Sequence, residues 1–351
     1  MTLCPRLKGF LGRDLHNRQS SFQKFVHDTS SALMLGSQIR VLTSIRPIPI
    51  SKRRYIIKGV TINRASTIHD RMASTTSNAE QKDQPDSKGW SATQYSQKAS
   101  FVYSAEFTAP VLDLLGAKPG EKILDIGCGS GELTLQLQQV MEQAEGGVVV
   151  GTDFSESMLK KAKQIGVKHT FIADAQELEL PKDDSDIPEQ FDAVFSNATL
   201  QWCKRDPLGV LTRVRGVLKP QGRFVADFSG FMSMIGIRAA LHEVVRSRGG
   251  DPEKCDPWYF PSVDEYQALL TTAGFETKHI SLTPRITPLP NGLYDWLSVF
   301  ARTSFLREFS DEEAAQIMKE VEDRCRGDCQ DVNGKWAMIS ARLRVSAVSK
   351  E

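Results

Sequence analysis

The sequence lacks several features that would assign it to a special class of protein. No apolar run reaches the ~18 residues that a membrane-spanning helix needs, so we expect no membrane insertion. The six cysteines among 351 residues are too few and too scattered for a disulfide scaffold. Hydrophobic residues at 40% and charged residues at 25% are instead typical of an ordinary folded enzyme or binding domain.

The net charge of only +1 conceals an uneven distribution. Residues 1–71 carry 13 Lys and Arg against 3 Asp and Glu, whereas residues 72–351 carry 31 against 40. The acidic body offers no basic face for phosphates, so we expect no nucleic-acid partner. The basic, Ser-rich start is typical of a mitochondrial transit peptide, but also of an unstructured extension or of a true start at Met72. We therefore expect a cytoplasmic protein, or a mitochondrial one if residues 1–71 are a transit peptide.

Domain organisation follows from the composition. The polar residues 72–89 predict a disordered linker, and residues 90–351 predict the folded domain. From about residue 100 the chain alternates strands and helices, which indicates an α/β fold with helices on both faces of a mainly parallel sheet. We predict strands at 122–126, 148–153, 169–173, 191–196 and 222–228, helices at 105–115, 131–143, 156–164 and 207–218, and a turn at 219–222.

Polar and glycine residues gather at the carboxyl ends of the predicted strands, where such sheets bind ligands. The first strand leads into a loop with three alternating glycines, Asp125-Ile126-Gly127-Cys128-Gly129-Ser130-Gly131. The nicotinamide fingerprint needs Gly-x-Gly-x-x-Gly, and its third glycine would fall on Glu132 or Thr134. No lysine follows as in a P-loop. Nicotinamide and nucleotide triphosphate sites are therefore disfavoured.

The alternating glycine loop resembles the first motif of the class I S-adenosylmethionine-dependent methyltransferases. The resemblance implies a Rossmann-like fold with a seven-stranded, mainly parallel sheet and a helical cap insertion at about 230–310. It also implies S-adenosylmethionine as the cofactor. Asp153, at the end of the second strand, would accept hydrogen bonds from both ribose hydroxyls, and Asp174 would contact the amino group of the adenine. The implied cofactor-binding set is Asp125, Gly127, Cys128, Gly129, Gly131, Asp153, Phe154, Asp174, Ala175, Asn197 and Ala198.

The string Asn197-Ala198-Thr199-Leu200-Gln201-Trp202 is similar to the trans-aconitate methyltransferase family and to malonyl-carrier-protein methyltransferases. The aconitate likeness extends from about residue 90 to residue 348 and implies methylation of a carboxylate on a small molecule. Asn197 and Trp202 would position the acceptor. The substrate-site candidates are Trp90, Tyr95, Gln201, Trp202, Trp258 and Arg302. Arg302, the candidate carboxylate clamp, lies one position earlier than the family's spacing from Trp296, a rotation of about 100° on a helix.

A carboxylate acceptor is ionised at pH 7 and needs no general base, which agrees with the scarcity of histidine: only His169, His242 and His279 lie in the body. Cys203 lacks an evident histidine partner and is interpreted as a small buried side chain. We expect no metal and a monomer or weak dimer. Two other functions stay open: an O- or N-methyltransferase of specialised metabolism, and a donor-binding regulator without catalysis.

Overall fold

Among the residues that the structure describes, seven strands form one sheet in the order β3-β2-β1-β4-β5-β7-β6. The strands are β1 Lys122–Ile126, β2 Val148–Asp153, β3 His169–Ile172, β4 Phe191–Asn197, β5 Leu218–Ser229, β6 Phe275–Leu289 and β7 Trp336–Ser349. Neighbours among β1 to β5 pair in parallel, and β7 runs antiparallel to both β5 and β6. The expected mainly parallel seven-stranded sheet is therefore confirmed, with a Rossmann-like class I methyltransferase topology.

Helices cover both faces of this sheet, as its unbroken apolar strands require. On one face α2 (Ala105–Leu115) and α3 (Glu132–Met141) pack in a core with Ile123, Phe195 and Val225. On the other face α5 (Pro207–Val217) and α8 (Val263–Thr272) enclose a second core that includes Leu124 and Phe224. Helix α4 (Glu156–Ile165) lies beside β2 and β3, and Ser155 caps it by accepting a hydrogen bond from the Met158 N–H.

The cap has a core of its own. Helices α6 (Ile235–Ser247), α7 (Pro252–Cys255), α9 (Gly292–Phe300) and α10 (Asp311–Cys329) surround a third set of buried apolar residues. The sequence predicted one insertion over about 230–310, but α8 and β6 lie inside that range and belong to the sheet layers. The cap is therefore built from two segments, one before β6 and one after it.

A short helix at the start of the domain joins the cap to the rest. In α1 (Ala92–Ala99), the Lys98 ammonium lies 3.1 Å from the Asp295 carboxylate of α9 and donates to the Ser298 hydroxyl. The Ala92 N–H donates to the Ser157 hydroxyl of α4. Helix α1 thus bridges the cap and the region that follows β2.

The predicted turn at 219–222 is wrong in one respect, because β5 already begins at Leu218. Its pairing with β4 shifts register between Phe191 and Ala193, and Gln221 has a φ of 61°. Pro220 and Gly222, which predicted a turn between two elements, instead lie at an irregularity within the strand, where the same residue types are common.

The computed structural model describes residues 86, 89–99 and 104–350, which fall within the unit Ser77–Glu351. The predicted basic extension 1–71, and the predicted linker 72–89 apart from Asp86 and Gly89, lie outside the described residues. No helix in the described ranges is both long enough and apolar enough to cross a membrane.

Candidate functional site

A cavity opens at the carboxyl ends of β1, β2 and β4, where the sequence analysis placed the site. It encloses about 990 Å³ of empty space, part of which is open to solvent. Of the predicted cofactor-binding residues, all but Gly131 line it: Asp125, Gly127, Cys128, Gly129, Asp153, Phe154, Asp174, Ala175, Asn197 and Ala198. Trp90, Tyr95 and Trp202 of the substrate candidates line it too.

The glycine loop after β1 owes its composition to packing within the protein. Gly127 has a φ of 71°, and a Cβ added there would lie 2.1 Å from the Thr199 hydroxyl oxygen. Gly131 has a φ of 90°, and a Cβ there would lie 2.8 Å from the Ala162 Cβ of α4. The absence of a side chain at Gly131 therefore allows α3 to pack closely against α4, and Gly131 does not itself line the cavity.

Asp125 lies at the base of the cavity with only 2% of its surface exposed. One carboxylate oxygen accepts a hydrogen bond from the Thr134 hydroxyl at 2.7 Å. Burial, opposed by this hydrogen bond and reinforced by the nearby Asp153 charge, raises the pKa of Asp125 to about 7. Both protonation states are therefore accessible near neutral pH.

Asp153, at the end of β2, holds the loop and faces the cavity. Its two carboxylate oxygens accept hydrogen bonds from the backbone N–H groups of Gly129 at 3.0 Å and Ser155 at 2.9 Å. Burial raises its pKa to about 6, and the Asp86 charge adds to this increase. A carboxylate has about four lone-pair sites, so Asp153 retains capacity to accept hydrogen bonds from a ligand.

The ends of β3 and β4 complete the donor side of the cavity. The Asp174 carboxylate accepts from the Gln176 N–H and forms an ion pair with Arg205 at 3.0 Å. Ala198 has a φ of 56°, and its N–H donates to the Asp227 carbonyl at 2.7 Å. This strained residue directs the chain after Asn197 around the edge of the cavity.

Aromatic side chains form the opposite wall. The Trp90 ring meets the Trp202 ring edge to face with a centroid distance of 5.4 Å, and it also contacts the rings of Tyr95 and Phe300. Tyr95 and Phe300 lie 5.8 Å apart. Tyr95 belongs to α1 and Phe300 belongs to α9, and both contact the Trp90 ring. The aromatic wall therefore connects the start of the domain to the cap.

Two of the predicted substrate-site residues, Gln201 and Trp258, contact other parts of the protein instead of lining the cavity. The Gln201 side chain donates to the Ala198 carbonyl at 2.6 Å, so it stabilises the turn after β4. Trp258 is 3% exposed in the cap core and contacts the Trp202 ring at 6.1 Å. Neither residue lines the cavity. Their contact with the substrate stays a prediction; in the structure Gln201 supports the turn after β4 and Trp258 supports the Trp202 ring.

Arg302 is the clearest departure from the predicted site. Its guanidinium donates to the backbone carbonyls of Leu306 and Phe309 and to the carboxylate of Asp311. These bonds fasten the chain just before α10, and Arg302 does not line the cavity. The one-residue shift from the family's spacing therefore coincides with a structural use of this side chain.

The thiols of the cavity are poorly suited to nucleophilic attack. Burial raises the pKa of the Cys203 thiol to about 12 and that of Cys128 well above its usual value. No histidine or lysine occurs among the described residues that line the cavity. In the part of the chain that the structure describes, no cluster of three or more His, Cys, Asp or Glu side chains is arranged to hold a metal ion.

Two residues at the site were not anticipated. Thr199 donates to the Gly127 carbonyl at 3.1 Å and occupies the space that a side chain at Gly127 would need. Its place in the string after β4 was the available signal. The Asp86 carboxylate accepts from the Ser155 hydroxyl close to Asp153. The surrounding polar sequence gave no indication of that contact.

The residues present fit S-adenosylmethionine. Asp153 offers unused lone pairs to the two hydroxyls of a ribose, and the carboxylates of Asp125 and Asp153 provide negative potential for a cationic ligand. The apolar lining from Leu133, Met158 and Phe154 suits a purine ring.

Known proteins similar to this chain include members of several methyltransferase families. A model of the methyltransferase domain matches residues 117–247, and a model of protein-L-isoaspartate(D-aspartate) O-methyltransferase matches residues 57–176. The structure of an S-adenosylmethionine-dependent methyltransferase from Mesorhizobium loti is 18% identical, covers 70% of this chain and 98% of its own, and superposes with a TM-score of 0.41.

Two relatives match most of their length. A trans-aconitate 2-methyltransferase of Deinococcus radiodurans is 29% identical over 65% of this chain and 87% of its own. An uncharacterized methyltransferase of Schizosaccharomyces pombe is 33% identical over 74% of this chain and 97% of its own. The chain thus belongs to the S-adenosylmethionine-dependent methyltransferases.

Proposed function

We propose that this enzyme transfers a methyl group to a carboxylate oxygen of a small acid such as trans-aconitate. The observation that carries the proposal is the absence of a histidine or lysine among the described residues that line the cavity. A phenol or amine acceptor usually needs a base, whereas a carboxylate is ionised at pH 7 and needs none. The match to the Deinococcus trans-aconitate 2-methyltransferase supports the same acceptor class.

The acids of the cavity do not supply the missing base. Asp125 bonds to Thr134, Asp153 bonds to the glycine loop, and Asp174 pairs with Arg205. In this proposal all three belong to the donor side of the cavity. Their assignment in this proposal is to hold the cofactor.

When bound, S-adenosylmethionine supplies an electrophilic methyl group on a positively charged sulfur. This chain's part in the reaction is to align the acceptor oxygen and to exclude water. In our proposal Asn197 and Trp202 orient the acceptor, and the rings of Trp90 and Tyr95 close the cavity above it. The aromatic wall depends on α1, so the beginning of the domain takes part in forming the site.

The direct test is transfer of labelled methyl from S-adenosylmethionine to a panel of acids led by trans-aconitate. We expect a base-labile label on the acid, as a methyl ester gives. The Asp153→Asn variant should lose the activity because cofactor binding is weakened. Label on a phenol or an amine, with none on any acid, would assign the enzyme to the O- or N-methyltransferases of specialised metabolism instead.

A non-catalytic, donor-binding regulator is the other alternative to exclude. Tight binding of S-adenosylmethionine by calorimetry, without transfer to any acid, phenol or amine in the panel, would favour it and contradict our proposal.

A further inference from the structure

The turn after β4 is held in a strained conformation at Ala198. Asn197 and Ala198 both line the cavity. The φ of 56° at Ala198 lies in the left-handed region, which a residue with a side chain adopts only where its surroundings hold it. The Ala198 N–H donates to the Asp227 carbonyl at 2.7 Å, and the Ala198 carbonyl accepts from the Gln201 side chain at 2.6 Å. Both polar backbone groups of Ala198 are therefore fixed by other residues.

This turn connects the two sides of the cavity. Directly after Ala198, the Thr199 hydroxyl donates to the Gly127 carbonyl of the glycine loop at 3.1 Å. Further along the turn, the Trp202 ring lies in the aromatic wall, with its centroid 5.4 Å from that of Trp90. A shift of the backbone at Ala198 would therefore change the distance between the glycine loop and the aromatic wall.

The residue that accepts the Ala198 N–H belongs to a buried cluster of charges. Asp227 of β5 is 1% exposed, and its carboxylate accepts hydrogen bonds from two arginines of β7. The Nε of Arg342 lies 2.6 Å from one carboxylate oxygen, and the Nε of Arg344 lies 2.8 Å from the other. The Asp227 side chain is therefore fixed between β5 and β7.

The two arginines differ in the other groups that they bind. Arg342 also donates from Nη2 to the Asp227 backbone carbonyl at 3.1 Å and from Nη1 to the Ser229 hydroxyl at 3.3 Å. Within residues 86, 89–99 and 104–350, Arg344 donates to the carboxylate alone. Because the planar guanidinium of Arg342 binds the carboxylate and the carbonyl of one residue together, it fixes the Asp227 main chain as well as its side chain.

The sheet register shows what this second bond adds. Asn197 with Asp227 is the last pair between β4 and β5, whereas β5 stays paired with β7 as far as Ser229 with Arg342. The ladder between β4 and β5 therefore ends at Asp227, where its carbonyl accepts the Ala198 N–H. Arg342 binds the same carbonyl from β7, the strand on the opposite side of β5.

We propose that Arg342 is a positioning residue for methyl transfer. By fixing the Asp227 carbonyl it holds Ala198 in its strained conformation, and it thereby keeps the glycine loop and the Trp202 ring at the separation that aligns donor and acceptor. Arg344 supplies an ion pair to Asp227 without this role. The inference rests on the methyltransferase activity of this cavity and not on the choice of a carboxylate as the acceptor.

The test compares the wild type with Arg342→Lys and with the matched control Arg344→Lys. Each substitution keeps a positive charge beside Asp227, but the ammonium group in Arg342→Lys cannot bind the carboxylate and the carbonyl together. Each protein is titrated by calorimetry with S-adenosylhomocysteine, and its stability is measured by urea unfolding. Amide hydrogen exchange is followed in the segment 196–202, and rates of methyl transfer are measured with trans-aconitate.

Arg342→Lys should bind S-adenosylhomocysteine about 3- to 10-fold more weakly, because the turn that lines the cavity loses a hydrogen bond that holds it. The kcat should fall by about 10- to 100-fold through misalignment, and exchange in the segment 196–202 should be faster. Arg344→Lys should lose a similar amount of stability, whereas its cofactor affinity, exchange and kcat stay at wild-type values. A purely structural role predicts instead that the two variants change alike in every measurement.

The outcomes separate this inference from the choice of acceptor. Wild-type cofactor affinity and exchange in Arg342→Lys would overturn the role of Arg342, and so would equal losses of affinity and kcat in the two lysine variants. If the wild type methylates no acid, the proposed acceptor class fails, whereas the titration and the exchange still decide on Arg342. Should a lysine variant fail to fold, Arg342→Met and Arg344→Met give the same comparison, since each leaves one arginine on Asp227.

Discussion

The donor wall and the acceptor wall of the cavity are assembled from different kinds of segments. The donor wall consists of consecutive strand ends and their loops, from Asp125 to Asn197, held by hydrogen bonds to backbone groups such as the Gly129 N–H. The acceptor wall combines Trp90, Tyr95 of α1 and the turn after β4, and the cap supports it from behind through the Phe300 ring and the Lys98–Asp295 ion pair. Cofactor binding should therefore depend on single polar atoms, and acceptor binding on packing between distant segments.

The largest effect should come from Asp153→Asn. The variant keeps the side-chain shape but loses the charge that accepts hydrogen bonds from the loop and, in our assignment, from the ribose. Losing two charge-assisted hydrogen bonds at about 1.5–3 kcal/mol each should weaken S-adenosylmethionine binding by roughly 10²- to 10⁴-fold. Calorimetric titration measures it, with the exposed Asp113→Asn of α2 as the control. Unchanged affinity would remove Asp153 from the donor wall.

The second-largest effect should be the dependence of the free energy of unfolding on pH that Asp125 causes. The pKa of Asp125 in the folded protein, about 7, lies above its value in an unfolded chain, about 4. The stability that neutral Asp125 contributes is therefore present below pH 4 and lost as the pH rises through 7. At 1.36 kcal/mol for each pH unit between the two pKa values, the loss is at most about 4 kcal/mol.

Thermal melting of the cofactor-free protein from pH 4 to pH 8 would measure this loss. Asp125→Asn should make the profile less steep, because its side chain is neutral at every pH, whereas Asp153, whose pKa is also raised, still contributes to the slope. Equal slopes for the wild type and the variant would contradict the raised pKa of Asp125.

Gly127→Ala should separate steric fit from backbone strain. A Cβ at residue 127 would overlap the Thr199 hydroxyl, and the φ of 71° adds strain. We expect a loss of about 2–4 kcal/mol in the free energy of unfolding. Gly146→Ala, with a φ of 80° and open space around it, should lose only about 1–2 kcal/mol. Equal losses in the two variants would show that the contact with Thr199 is unimportant.

On the acceptor wall, Arg302→Gln should lower stability without changing KM for the acid. The guanidinium bonds to two backbone carbonyls and to Asp311, which is largely exposed. We expect a loss of about 1–2 kcal/mol in urea unfolding. A rise in KM at constant stability would return Arg302 to the substrate site.

Trp90→Leu should have the smallest effect, again on the acceptor side. The variant loses ring contacts with Trp202, Tyr95 and Phe300 while keeping an apolar side chain. At about 0.5–1.5 kcal/mol for an aromatic pair, we expect KM for the acid to rise by roughly tenfold. S-adenosylmethionine affinity should fall less than the affinity for the acid. The opposite order would mean that Trp90 belongs to the donor wall.

The same difference between the walls explains which parts the sequence could predict. Strands β1 and β2 and helix α2 have the predicted bounds, since unbroken apolar runs and helical spacing are local signals. The site residues at the ends of these strands follow from topology, because parallel strands end at one edge of the sheet.

Long-range contacts were not predictable in this way. The family resemblance directed attention to Arg302, but only the fold reveals that its guanidinium is used by Leu306 and Phe309. The division of the cap by β6 was missed because that strand alternates polar and apolar residues without a buried run.

The pairing of Leu289 with Trp336 closes the part of the cap formed by residues 290–335 between two adjacent strand ends. A segment whose two ends are adjacent in the sheet can change in length at a small entropic cost to the rest of the fold. Evolution could therefore replace α9 and α10 as a unit and leave the sheet and the cofactor loop in place. Relatives with different acceptors would then be expected to differ most in this segment, and swapping it between them would be a direct way to exchange substrate preference.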